Sequence, residues 1–169
     1  MKLTIFTGII VGFLFGIFAF HSNTGIASPS AGAELQGKVY EHEEIKGMHT
    51  NLGFEPKDLG ENIYEITATK GDWDVFISVS LSRSKAKMWL VVNLGNFGEK
   101  SKADPKKLYA LLQKNTDIQP AQFYIRGDGL RLGVPLDNRG LTPALIRKEI
   151  DTLADHTAKT EALWAKIDE

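Results

Sequence analysis

The sequence predicts a single α+β domain: a five-stranded antiparallel sheet with flanking helices, in the order α-β-β-β-α-β-β-α. Three observations predict it. Asp74 to Ser82 and Met88 to Leu94 alternate apolar and polar residues with the period of a strand. Asp104-Pro105 and Thr142-Pro143 each set a good N-cap before a proline suited to the first helical position. Gly127-Asp128-Gly129 separates two further alternating runs and reads as a hairpin turn.

The elements follow in order. Leu35 to Leu52 reads as helical in part, with Val39, Ile45, Met48 and Leu52 near one face and Gly53 available to end it. Ile63 to Lys70 is a strand with Tyr64, Ile66 and Ala68 on one side, and Gly71-Asp72 turns it back. In Asp74 to Ser82 the residues Val75, Ile77, Val79 and Leu81 face one way and three serines the other, so one face is wet. Arg83 to Lys87 is a polar tip, after which Met88, Leu90, Val92 and Leu94 point inward. Asn96 to Lys102 is a loop. The helix from Asp104 to about Asn115 carries Leu108, Leu111 and Leu112. Ala121, Phe123 and Ile125 alternate with Gln122, Tyr124 and Arg126, and Leu130, Leu132, Val134 and Leu136 answer them. Pro135 cannot donate to a ladder, which places the end of that strand at an edge or unpaired. The last helix starts at Thr142; Ile146, Ile150, Leu153, Trp164 and Ile167 give it a length of roughly 20 to 25 residues at helical spacing.

Lys2 is the one charged residue among the first 33, so the chain from Glu34 onward has a formal charge of −2. That is no footprint for nucleic acid, whose binders are usually basic. There is no cysteine, which excludes disulfides, thiolate chemistry and a cysteine-based zinc site. Leu3 to Phe20 is uncharged and mostly apolar, and a small-residue stretch follows it. With Lys2 ahead, residues 1–33 read as a secretory signal with cleavage after Ala27 or Ala33. The run is also long enough to act as an uncleaved membrane tether. Either way residues 34–169 are expected outside the cytoplasm, periplasmic or secreted.

Chemistry-bearing patterns are sparse. His42 and His49 are seven apart among Glu41, Glu43 and Glu44, which is not the i, i+4 spacing of a helical metal site. They read as solvated side chains, as does His156. Asp72 and Asp74 flank Trp73, where local hydrogen bonding to a turn explains them better than acid/base work. No nucleophile elbow, P-loop or dinucleotide fingerprint is present, so no catalytic residue, metal or cofactor is assigned. The clusters Arg83, Lys85, Lys87 and Lys100, Lys102, Lys106, Lys107 read as solvated faces.

The helix Leu108-Tyr109-Ala110-Leu111-Leu112-Gln113-Lys114-Asn115, the Phe123 to Leu136 hairpin around Asp128-Gly129, and Gly140-Leu141-Thr142-Pro143 carry a resemblance. From Leu35 to Trp164 the chain resembles the class I type III secretion chaperones. It also resembles the YbjN-like bacterial relatives, often labelled sensory transduction regulators. The resemblance implies homodimers that bind partner polypeptides without catalysis. Type III chaperones work in the cytoplasm, whereas the leader here predicts export.

Phe76, Trp89, Val91 and Tyr124 fall out of phase with the inward sets. They are the candidate dimer or partner-binding residues, unless a helix of the same domain covers them. The helix after Asp104 is the other candidate surface. The expected function is thus an exported, non-catalytic interaction domain for a protein or peptide. The alternative is a periplasmic small-ligand binder or enzyme whose cleft holds the Asp72/Asp74 turn. Sequencing the N-terminus of the mature protein checks the leader: Ser28 or Glu34 is expected first, and retained Met1 makes the segment a tether.

Overall fold

The structure, a computed structural model, describes residues 37–96 and 104–165. The elements are α1 (His42–Asn51), β1 (Lys57–Gly60), β2 (Ile63–Lys70), β3 (Trp73–Leu81), β4 (Lys87–Asn96), α2 (Pro105–Lys114), β5 (Gln122–Arg126), β6 (Gly129–Asp137), α3 (Pro143–Lys159) and α4 (Glu161–Trp164). A 3-10 turn, Asn138–Gly140, links β6 to α3. The six strands form one antiparallel sheet ordered β1-β2-β3-β4-β6-β5. The α+β class and the antiparallel sheet match the sequence reading. The strand count is six rather than five, and the order gains a strand before β2.

The extra strand is β1. It is exposed along its whole length, so it has no apolar alternation to betray it. Its turn into β2 is made by Glu61 and Asn62, both at positive φ (51° and 59°), the backbone of a tight hairpin. The loop expected over Asn96 to Lys102 lies largely outside the described residues, as do the Leu3 to Phe20 leader and Ile167. Among the described residues no helix is long and apolar enough to cross a membrane.

Register gives the sheet two unlike faces. Tyr64, Ile66 and Ala68 stand opposite Val79, Ile77 and Val75. Ile77 and Val79 stand opposite Val92 and Leu90, which in turn face Leu132 and Val134. All are buried. Helix α3 lies on this inner face, against β2, β3 and β6, and contributes Ile146, Ile150 and Leu153. α1 packs on α3 and adds Ile45, while α2 packs on α4 at the far end. Pro135 pairs with Trp89 of β4, while the ladder with β5 ends at Gly133. The strand is therefore internal on one side, and only the β5 side near Pro135 matches the expected open edge.

The helix caps follow the sequence signals. Asp104 accepts from the Lys106 amide at 2.9 Å, and Thr142 accepts from the Leu145 amide at 3.1 Å. At the end of α1 the Gly53 amide donates to Thr50 O and the Phe54 amide to His49 O, a Schellman cap with Gly53 at φ 87°. α1 begins at His42; residues 37–41 lie outside any helix, and Glu41, at its N-cap, is extended. α3 stops at Lys159, short of the expected length. The Thr157 and Thr160 hydroxyls donate back to Leu153 O and His156 O (2.9 and 2.6 Å), and the Trp164 indole donates to Thr157 O (3.1 Å). Side-chain bonds of this kind bend a helix, and they fold Trp164 against Trp73.

Asn138, fully buried, holds the entry segment. Its Nδ2 donates to Tyr40 O and Lys85 O (both 2.8 Å), its Oδ1 accepts from the Tyr40 amide (3.2 Å), and its own amide donates to Ala86 O (3.0 Å). One side chain thus ties the start of the domain to the β3–β4 tip and the end of β6. Asn138→Leu leaves those backbone groups without partners and is expected to cost roughly 3 kcal/mol. Urea unfolding measures it; a loss below about 0.5 kcal/mol, the scale of a bland surface change, refutes the clamp.

Candidate functional site

The four candidate residues all lie on the outward face, opposite the helices. Ser78 faces Val91 and Ser80 faces Trp89, while Val91 faces Gly133 and Tyr124 faces Arg131. The register therefore brings Trp89, Val91 and Tyr124 together. They wall one hollow of about 430 Å³, with Ser80, Gln122 and Arg126 around it. All three are half-buried. Phe76 is 56% exposed and stands apart, opposite Thr67 on β2. It borders a different depression, shared with Phe54, Lys57 and Thr69.

A second surface lies around the other side of β5. Leu108, Leu111 and Leu112 of α2 face Phe123, Ile125 and Leu130 across a groove of about 350 Å³. Its lining is nearly all apolar. Leu112 is 62% exposed, Ile125 51% and the neighbouring Tyr109 63%. Apolar side chains this exposed and contiguous mark an interface more often than a free surface. The sequence named the helix after Asp104 but not the part played by Ile125. Four apolar residues in five positions, Leu108 to Leu112 without Ala110, exceed one helical stripe and carry that signal.

The edge of β5 between the two surfaces is partly closed. Asn115 donates from Nδ2 to Phe123 O (3.1 Å) and accepts the Phe123 amide on Oδ1 (2.7 Å). A side chain thereby takes the place of a further strand at Phe123.

The other polar candidates do not converge. Asp74 accepts from the Thr69 hydroxyl at 2.8 Å across the β2–β3 hairpin, and Asp72 is exposed at its turn. Neither borders the hollow or the groove. Lys85 pairs with Glu41 (2.6 Å) and Lys87 with Asp137 (3.3 Å), so those two cations of the first basic cluster serve the fold. Lys100 and Lys102 lie outside the described residues. Among the described residues no three His, Asp or Glu side chains are grouped to hold a metal.

The histidines depart from the sequence reading. His49 is fully buried rather than solvated. Its Nδ1 lies 2.9 Å from Ile45 O and 2.9 Å from the Tyr64 hydroxyl, and the rings of Tyr64, Phe54 and His49 pack together. Nε2 is buried without a partner. Nδ1 is thus the nitrogen that carries the proton, donated to Ile45 O, and Nε2 is a bare acceptor. Burial holds His49 below the usual imidazole range, opposed in part by the bond to Ile45. His156 is half-buried rather than exposed, and burial lowers it too. Burial likewise pushes the Tyr64 phenol up, so it stays protonated.

No protein-family model matches the sequence, and no curated protein matches it. The fold does match solved structures. A chain of the heterodimeric ExoU–SpcU complex from the type III secretion system of Pseudomonas aeruginosa aligns at a TM-score of 0.52 and 13% identity, over 72% of this chain and 98% of that one. A chain of the HopA1–SchA chaperone–effector complex aligns at 0.50 and 8% identity, over 70% and 91%. The chain has the fold of the type III secretion chaperones. At these identities the likeness is one of fold.

The buried histidine makes a pH prediction. Protonation at Nε2 places a charged donor where no acceptor stands. His49 is depressed in the fold and titrates near 6.5 when unfolded. Its contribution is therefore complete above about pH 6.5 and is lost as pH falls through the folded value. Urea unfolding from pH 7.5 to 5 is expected to show falling stability in the wild type and a shallower fall in His49→Leu. Parallel slopes for the two proteins rule the effect out.

Proposed function

We propose that this chain is a non-catalytic protein-interaction domain, related to the YbjN-like proteins, that acts as a homodimer and holds a protein or peptide partner. It works outside the cytoplasm, secreted or tethered through Leu3 to Phe20. The observation that carries the reading is the exposed apolar groove between α2 and β5, with Leu112 and Ile125 each more than half exposed. A surface of this kind is costly in water and is relieved by burial against another chain.

The fold supports the same reading, since the HopA1–SchA neighbour is a chaperone–effector complex and SpcU is held in a heterodimer with ExoU. We assign the α2–β5 groove to self-association. Asn115 closes the strand edge at Phe123, so two copies meet through side chains there and not through a shared ladder. A two-fold axis beside α2 sets Leu112 and Tyr109 of one copy against the same residues of the other, the self-complementary arrangement of a closed dimer. The outward face of the sheet then stays open for the partner.

Light scattering on the purified domain tests this. The wild type is expected at twice the monomer mass. Leu112→Glu puts a charge in the centre of the contact and is expected to give a folded monomer, with an unchanged far-UV circular dichroism spectrum. A monomeric wild type, or a dimer unmoved by Leu112→Glu, defeats the assignment.

A further inference from the structure

The outward hollow has a specific origin. On the outward face of β6, position 133 lies between Val91 of β4 and Gln122 of β5, and it is glycine. A Cβ there would sit 3.1 Å from Tyr124 Cε1 and 3.2 Å from Leu90 O. The missing side chain lets the Tyr124 ring lie down over the backbone. That sets Tyr124 as one aromatic wall of the hollow and Trp89 as the other, with Val91 and Ser80 also in its lining. A hollow walled by aromatics takes a flat or branched apolar side chain.

The charge around it has one sign. Arg126 is exposed at the rim, and Arg131 stands opposite Tyr124 in the β5–β6 ladder. Among the described residues neither arginine has an ion-pair partner; Arg131 interacts with the Tyr124 hydroxyl and stands behind the ring, outside the lining, so Arg126 is the cation of the hollow. Among the described residues no carboxylate lines the hollow. The described acids elsewhere on this face are engaged or remote: Asp137 pairs with Lys87, Asp74 holds Thr69, and Glu65 lies on β2 beyond β3. A carboxylate is the group that matches the exposed Arg126 guanidinium best.

We propose that this hollow binds an acidic segment of the partner polypeptide, with an apolar side chain between Trp89 and Tyr124 and a carboxylate on Arg126. The inference rests on the protein-binding reading above and gives the partner its chemistry. A second copy of this chain fits less well, because face-to-face pairing sets Arg126 against Arg126 in a hollow with no acid among the described residues. Ser80, Ser82 and Gln122 offer further hydrogen-bonding groups along the rim for a peptide backbone.

Fluorescence anisotropy with three labelled peptides of equal length tests it on the full chain. Each alternates phenylalanine with glutamate, glutamine or lysine. The glutamate peptide is expected to bind about tenfold tighter than the glutamine peptide and the lysine peptide weakest, with the gap closing as salt rises. Arg126→Glu is expected to invert the order, Trp89→Ala to weaken the glutamate and glutamine peptides alike, and Leu112→Glu to change neither. Equal binding of all three peptides, binding of none, or an order unmoved by Arg126→Glu overturns the proposal. So does a Trp89→Glu chain that no longer dimerises, since the face is then a contact between copies. None of those peptide results touches the light-scattering result for Leu112→Glu, so this inference and the dimer assignment fail separately.

Discussion

Everything in this domain depends on the register that turns the apolar side chains of five strands to one face. Because side chains alternate along a strand, a slip of one residue would send that whole set to water. The pairs Ile66–Ile77, Ile77–Val92 and Val92–Leu132 carry one inward row across β2, β3, β4 and β6. Helix α3 then has one place to bury Ile146, Ile150 and Leu153. The same pairing dictates an outward row, Glu65, Ser78, Val91, Gly133 and Gln122, that the inner packing does not use. The outward surface is a geometric consequence of the core.

Around that frame a few polar side chains decide where the domain ends. Asn138 and Asn115 each offer an amide to backbone groups, Asn138 at the entry segment and Asn115 at the edge of β5. An amide side chain carries both a donor and an acceptor, so it can imitate a peptide unit. At Asn115 the imitation occupies the place of a neighbouring strand. The opposite edge, β1, is guarded differently, by its short length and by Lys57 and Asp58, the latter paired with Lys46 at 2.6 Å. With both edges managed in this way, the exposed apolar side chains of α2 and β5 stand out from the ladder.

The sequence made the periodic parts legible. β3, β4, β6 and the starts of α2 and α3 announce themselves by alternation or by a cap followed by proline. The parts it concealed have no period. β1 is exposed on both faces and so shows no alternation. The break in α3 depends on two threonine hydroxyls and a tryptophan folding back, a tertiary event with no local signature. His49 sits beside Glu41, Glu43 and Glu44 in the chain, and that company suggested water; yet the helix turns His49 inward onto Tyr64 while Glu43 and Glu44 stay outside. Trp89, Val91 and Tyr124 could be picked out because they break the phase of their strands. That Gly133 would lie under the Tyr124 ring, and that the three would meet at one hollow, required the β4–β6–β5 pairing, and strand order is not written in any single segment.

This division explains how a chain can share a fold with type III secretion chaperones at 8–13% identity. The inner face asks of each position only that it be apolar and of suitable volume, a demand many residues meet. Its identity can drift almost completely while the architecture holds. The outward face is under no such demand from the core. Whatever stands there, a glycine under a tyrosine ring or an arginine without an acid, is free of the packing rule that fixed the fold. The residues most able to say what this domain binds are therefore those about which the shared fold is silent. A tryptophan, a tyrosine and an arginine around one hollow are a more particular statement than any feature of the core.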